Sequence, residues 1–250
     1  MRKHLSVFGL FARSSIYKVL GVILLLSAVQ TFFFHLELEK AIDAYNVVGF
    51  GMAPLERIFE RSAFYEYLAA GFLLITLFLC LTGHQANTGY TLQRLSVSEK
   101  VTFIYQGVYN VLVYVILAAF QLTLAFFLCR YYLASVPSET VGNQTLFLAF
   151  YKSKFLHSLL PLEDTALWIR NILLALCLGF SAAEFPYSFR RGKFDPIILA
   201  MALYAIVFFR AEIGEITKII SMSIITLLIG AEIVYSVFIK KDEEEEEANE

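Results

Sequence analysis

Charge is scarce in this chain. Asp, Glu, Lys and Arg make up 17% of its 250 residues, where a soluble domain carries about 25%. With 58% apolar residues, that shortage excludes an ordinary water-soluble globule. The apolar residues also fall in blocks long enough to cross a hydrocarbon layer of roughly 30 Å. Cysteine is nearly absent: Cys80, Cys129 and Cys177 each sit inside an apolar run. An odd, dispersed set of this kind excludes a disulfide framework. Proline occurs at five positions only: Pro54, Pro137, Pro161 and Pro186 outside the expected spans, and Pro196 at the first position of the fifth. No stretch between apolar runs exceeds about thirty residues, too few for a large soluble domain.

The motifs of bond-breaking chemistry are missing as well. There is no G-x-x-x-x-G-K-[ST], no H-E-x-x-H and no G-x-S-x-G, and Arg191-Gly192-Lys193 lacks the upstream glycine of a phosphate cradle. The four histidines, His4, His35, His84 and His157, lie on different segments, with no pair at ligand spacing. The expectation is a non-enzyme with no catalytic, metal or cofactor-binding residues and no nucleic-acid partner.

What is present is an all-α pattern. The hydropathy predicts a polytopic membrane protein of six transmembrane helices, at 16–36, 64–83, 101–132, 165–185, 196–211 and 216–239. The third run, at 1.5 Å per residue, would be near 48 Å long and must tilt or protrude. Residues 1–18 mix Leu5, Phe8 and Phe11 with Arg2, Lys3, Arg13 and Lys18, which predicts an N-terminal interfacial helix. Residues 144–160 are too polar to span and predict a second interfacial helix. Positive charge gathers at the N-terminus, at Arg190, Arg191 and Lys193, and at Lys240 and Lys241. By the positive-inside rule both termini are cytoplasmic. The transmembrane domain is 1–241, in contact with the lipid bilayer. Residues 242–250 hold seven of the 22 acids and read as an acidic, disordered cytoplasmic tail, leaving a body of 20 basic and 15 acidic residues.

Two sets of polar residues stand inside the spans. Gln106, Asn110, Tyr114 and Gln121 are spaced 4, 4 and 7 apart and share one face of the third helix. Such a stripe avoids lipid; it either bonds to neighbouring helices or lines a translocation path. Glu232 lies inside the sixth span, where an acid is costly and is expected to face the bundle or a hydrated cavity, or to stay protonated. Arg210, Glu212, Glu215 and Lys218 read as the solvated turn between the last two spans.

Between the second and third spans stands Gly89-Tyr90-Thr91-Leu92-Gln93-Arg94-Leu95-Ser96-Val97-Ser98-Glu99-Lys100. Tyr90 to Leu95 fits about a turn and a half of helix after the break at Gly89. Ser96-Val97-Ser98-Glu99 matches the S-x-x-E capping box that starts a new helix. The layout resembles the permease subunits of ABC transporters of the ABC-2 (type V exporter) class, which carry a cytoplasmic coupling helix at this place. Two features depart from that class: His84-Gln85-Ala86-Asn87-Thr88 replaces its charged residues ahead of the glycine, and the last connection is short. The resemblance implies a bacterial cell-membrane permease with half of an export path, including Gln106, Asn110, Tyr114, Gln121 and Glu232. It further implies ATPase coupling through Tyr90, Thr91, Leu92, Gln93, Arg94 and Leu95. The implied partners are a separate ABC ATPase subunit and a second permease subunit, in a homo- or heterodimer. The residues leave two other readings open, a secondary transporter or small channel, and an accessory membrane protein without transport activity. They do not name a substrate.

Overall fold

The computed structural model describes residues 2–48, 51–82, 98–137, 142, 144–161, 165–189, 197–209 and 216–235. The secondary structure among these residues is helical. In chain order the helices are α1 (Arg2–Val48), α2 (Leu55–Arg61), α3 (Phe64–Thr82), α4 (Glu99–Ser135), α5 (Thr145–Lys152), α6 (Lys154–Leu159), α7 (Thr165–Phe189), α8 (Ile197–Phe209) and α9 (Ile216–Val234). Four of them, α1, α3, α4 and α7, are long and apolar enough to cross a membrane. The fifth and sixth expected spans correspond to α8 and α9, apolar helices of 13 and 19 residues. Their neighbours 190–196, 210–215 and 236–250 lie outside the described residues, and with them the acidic tail and the expected turn at Arg210 to Glu215.

Residues 2–18 are not a separate element. They are the start of α1, which runs unbroken for 47 residues. The reason is legible in the spacing: Val7, Phe11, Ser15, Val19 and Ile23 recur every four residues and are all buried. One apolar stripe therefore continues across the expected boundary and packs on α3 and α4. At its centre the Ser15 and Tyr109 hydroxyls are 2.6 Å apart. Beyond residue 36 the helix carries on through its charged turns, where Lys40 donates to Glu37 at 2.6 Å. A surface pair of this kind contributes only about 0.2–0.5 kcal/mol.

α4 begins two residues later than the sequence motif suggests. Its N-cap is Ser98, whose hydroxyl accepts from the Val101 amide at 3.4 Å; Ser96 lies outside the described residues. Both serines offer the same side-chain acceptor. Ser98 places Glu99 in the first turn, where its charge meets the positive helix end. With 37 residues α4 is shorter than α1.

The most extensive helix–helix contact is between α4 and α7. It depends on two glycines. A β-carbon on Gly107 would fall 2.5 Å from the Phe180 ring, and one on Gly179 would fall 2.3 Å from Val111 Cγ2. Small residues of this kind let helix backbones approach where lipid supplies no hydrophobic drive. α7 also runs past its expected end at residue 185 and contains Pro186, so one proline does lie inside a long helix. Such prolines are tolerated where neighbours and local adjustment satisfy the freed carbonyl. α9 packs chiefly on α7, and α8 on α7, α6 and α3.

The stretches between the first and second spans and after the third build a second apolar core. Phe34, Leu55, Phe59, Leu128, Phe150 and Leu156 are buried together at one end of the bundle. The single interfacial helix expected over 144–160 is instead α5 and α6, broken at Ser153. Tyr132 Oη donates to the Ala53 carbonyl at 3.0 Å, and Lys152 reaches Glu56 at 3.6 Å. These bonds tie α2 and α5 to the end of α4.

Candidate functional site

All four residues of the α4 stripe are buried, but they do two different things. Asn110 Nδ2 donates to the Gly179 carbonyl at 3.1 Å, and Tyr114 Oη lies 3.0 Å from Thr76 Oγ1 on α3. These two are helix–helix hydrogen bonds. Asn110→Leu is accordingly expected to lower the thermal midpoint in detergent, by about 0.6–1.7 kcal/mol of stability. An unchanged midpoint would show that the bond carries no weight. Gln106 is 3% exposed and its Nε2 has no hydrogen-bond partner. Gln121 is 1% exposed, and neither its Nε2 nor its Oε1 has one.

Gln121 lines a cavity of about 450 Å³ enclosed by α3, α4, α6, α7 and α8. Small-molecule sites occupy roughly 300–1,000 Å³. The walls are apolar, with Phe72, Leu117, Phe155, Leu178 and Phe209 among them. Their other polar groups are engaged. Tyr65 Oη donates to the Ile206 carbonyl, Trp168 Nε1 donates to the Pro161 carbonyl at 2.7 Å, and Asn171 Nδ2 donates to the Ser158 carbonyl at 2.9 Å. Tyr114, as above, is paired with Thr76. The carboxamide of Gln121 is the side-chain group in this lining left without a partner.

The wall is held at one corner by Arg170. This side chain is buried, donates through Nη2 to Ser158 Oγ at 2.6 Å and to Asn171 Oδ1 at 2.8 Å, and places its guanidinium 5.2 Å from the centre of the Phe209 ring. It pins α6 and α8 onto α7. Arg170→Met is expected to cost about 1.5–3 kcal/mol, the range for hydrogen bonds to a charged group. Protease cleavage within 153–160 should become faster, and unchanged cleavage would argue against the latch. Arg170, Asn171 and Trp168 were not singled out from the sequence, although two adjacent polar residues inside an apolar run are a usable signal.

Glu232 does not join this arrangement. It is exposed on α9, whose packed face carries Met222, Thr226 and Ile233. Among the described residues the buried carboxylate is Glu184 of α7, 2% exposed. Glu184 and Gln106 both stand outside the cavity lining. Tyr90, Thr91, Leu92, Gln93, Arg94 and Leu95 lie outside the described residues.

The described residues gather no group of three or more His, Cys, Asp or Glu side chains able to hold a metal ion. The three cysteines are buried thiols. The chain matches no family model, no curated protein and no solved structure.

Proposed function

We propose that the chain is the membrane-spanning permease subunit of an ATP-driven ABC transporter of the ABC-2 type, an exporter. ATP hydrolysis then belongs to a separate subunit, and a second permease subunit completes the path. Both termini and residues 90–95 face the cytosol of a bacterial cell.

One observation carries this reading: α4 is a single unbroken helix that starts at the Ser98 cap, directly after the coupling-like motif, and reaches the cavity. Gln121 is 23 residues from Ser98, or about 35 Å along the axis. A force applied at the cap would be delivered to the cavity wall through one continuous helix. The glycine contacts between α4 and α7 make the two helices move as a pair, since neither has free space at Gly107 or Gly179.

The test is purification from native membranes followed by a nucleotide-hydrolysis assay. An ATPase subunit bearing a Walker A sequence is expected to co-elute and to hydrolyse ATP. Elution of the chain with full transport activity and no ATPase would overturn the proposal. The buried Glu184 favours one competing reading, an ion-coupled carrier. That reading predicts flux that persists without nucleotide and stops in Glu184→Gln.

A further inference from the structure

We infer that the furrow between α1 and α4 ending at His35 and Tyr131 holds one bilayer phospholipid with a primary ammonium headgroup, of the phosphatidylethanolamine class. The furrow is lined by Ala28, Thr31 and Phe32 on α1 and by Leu124 and Phe127 on α4. From Ser27 to His35 it follows α1 for about 12 Å, at 1.5 Å per residue. It is open to the outside, for Phe32 and Phe127 are 58% and 63% exposed. α1 carries no Asp, Glu, Lys or Arg from 19 to 36, and α4 none from 101 to 129. The body of the furrow therefore lies on the outer surface of two apolar helices, within their charge-free stretches. In a membrane the neighbour at that level is an acyl chain. The far end is where charge returns, with Glu37, Glu39 and Lys40 on α1 and Arg130 on α4. That is the level of the headgroups, where tyrosine is favoured.

The polar end is made of acceptors. His35 Nε2 lies 3.3 Å from Glu39 Oε1, and His35 Nδ1 lies 2.9 Å from Tyr131 Oη. A carboxylate can only accept, so in the neutral ring the proton sits on Nε2 and Nδ1 is the acceptor. Tyr131 then donates its one hydroxyl proton to Nδ1. What remains available to a ligand is the Tyr131 oxygen and the rest of the Glu39 carboxylate, whose side chain is 58% exposed. Glu37 is matched by Lys40 at 2.6 Å, whereas the partner of Glu39 is a neutral ring. Arg130 holds its guanidinium 5.4 Å from the centre of the Phe126 ring and is not part of the lining. An ethanolamine headgroup brings both a positive charge and three N–H donors to such a site. A choline headgroup brings the charge without a donor, and a glycerol headgroup brings donors without the positive charge. The site requires that α1 and α4 cross a bilayer; it does not rest on the transporter reading.

The full-length protein, delipidated in detergent, is titrated with lipids of identical chains and followed by native mass spectrometry. The probes are phosphatidylethanolamine, its N-monomethyl and N,N-dimethyl forms, phosphatidylcholine and phosphatidylglycerol. The tightest adduct is expected to hold one lipid, with affinity falling as N–H groups are replaced. Phosphatidylcholine should bind about fivefold more weakly than phosphatidylethanolamine, the equivalent of one hydrogen bond at the membrane. Glu39→Gln keeps an acceptor and removes the charge; it is expected to weaken phosphatidylethanolamine about fivefold at an unchanged thermal midpoint, the upper range for an exposed ion pair. Ala28→Trp fills the furrow from an exposed position and leaves His35, Glu39 and Tyr131 in place. It is expected to remove this adduct whatever the headgroup. The inference is overturned if phosphatidylcholine or phosphatidylglycerol binds as tightly as phosphatidylethanolamine, if Glu39→Gln changes nothing, or if the adduct survives Ala28→Trp. A dimer of the chain that Ala28→Trp dissociates would also overturn it, by assigning the furrow to a second copy.

Discussion

Replacing Gly179 with leucine is expected to abolish recovery of folded, monodisperse protein. A β-carbon at this position would sit 2.3 Å from Val111 Cγ2, 2.8 Å from the Val111 backbone nitrogen and 3.1 Å from the Gly107 carbonyl oxygen. A side chain can rotate away, but backbone nitrogen and oxygen cannot, so α4 and α7 would have to separate. Separation also breaks the bond from Asn110 to the Gly179 carbonyl. Even Gly179→Ala should cost about 1–3 kcal/mol, as overpacking does, and leucine more. Gly230→Ala is the matched control: nothing lies within 4 Å of its β-carbon. There alanine should be neutral or add about 0.5–1 kcal/mol through helix propensity. Size-exclusion profiles and thermal midpoints decide it. A Gly179→Ala protein as stable as the parent would mean that α4 and α7 do not approach as described.

The second large effect is functional. Leu92→Asp together with Leu95→Asp is expected to detach the ATPase subunit while the protein remains folded. The two leucines are three residues apart, a spacing that would put them on one side of the short helix expected from the sequence. If they anchor in a groove of the ATPase, each is worth at least about 2 kcal/mol, and the pair together lowers affinity on the order of a thousandfold. They lie ahead of the Ser98 cap, so their loss should leave α4 and its contacts intact. Normal ATPase association in a folded double variant would count heavily against the coupling assignment.

The parts of the fold that could be read locally were those with an unbroken period. The fourfold recurrence from Val7 to Ile23 already held the continuity of α1, although the basic residues among it suggested a separate surface helix. The face shared by Gln106, Asn110, Tyr114 and Gln121 was likewise set by spacing alone. Which of the four bond to neighbours was not, because Gly179 and Thr76 lie 69 and 38 residues away from Asn110 and Tyr114. The second apolar core escaped for the same reason. Phe59 and Phe150 sit among charged residues in their own segments, and only the fold brings them together. Glu232 and Glu184 carry the same sequence signal, an acid inside an apolar run, yet one faces outward and the other is buried. Helix rotation is set by tertiary packing, with Met222 and Ile233 taking the inner face of α9. The cavity itself is a gap in packing and has no local signature.

The most direct measurement places a photo-crosslinking residue at position 92 and illuminates intact membranes. An adduct between this chain and an ATP-hydrolysing subunit, lost when Leu95→Asp is added, is the result that force transmission from the cytosol requires. Labelling of position 92 by a membrane-impermeant reagent from outside the cell, or an adduct with lipid alone, would contradict it.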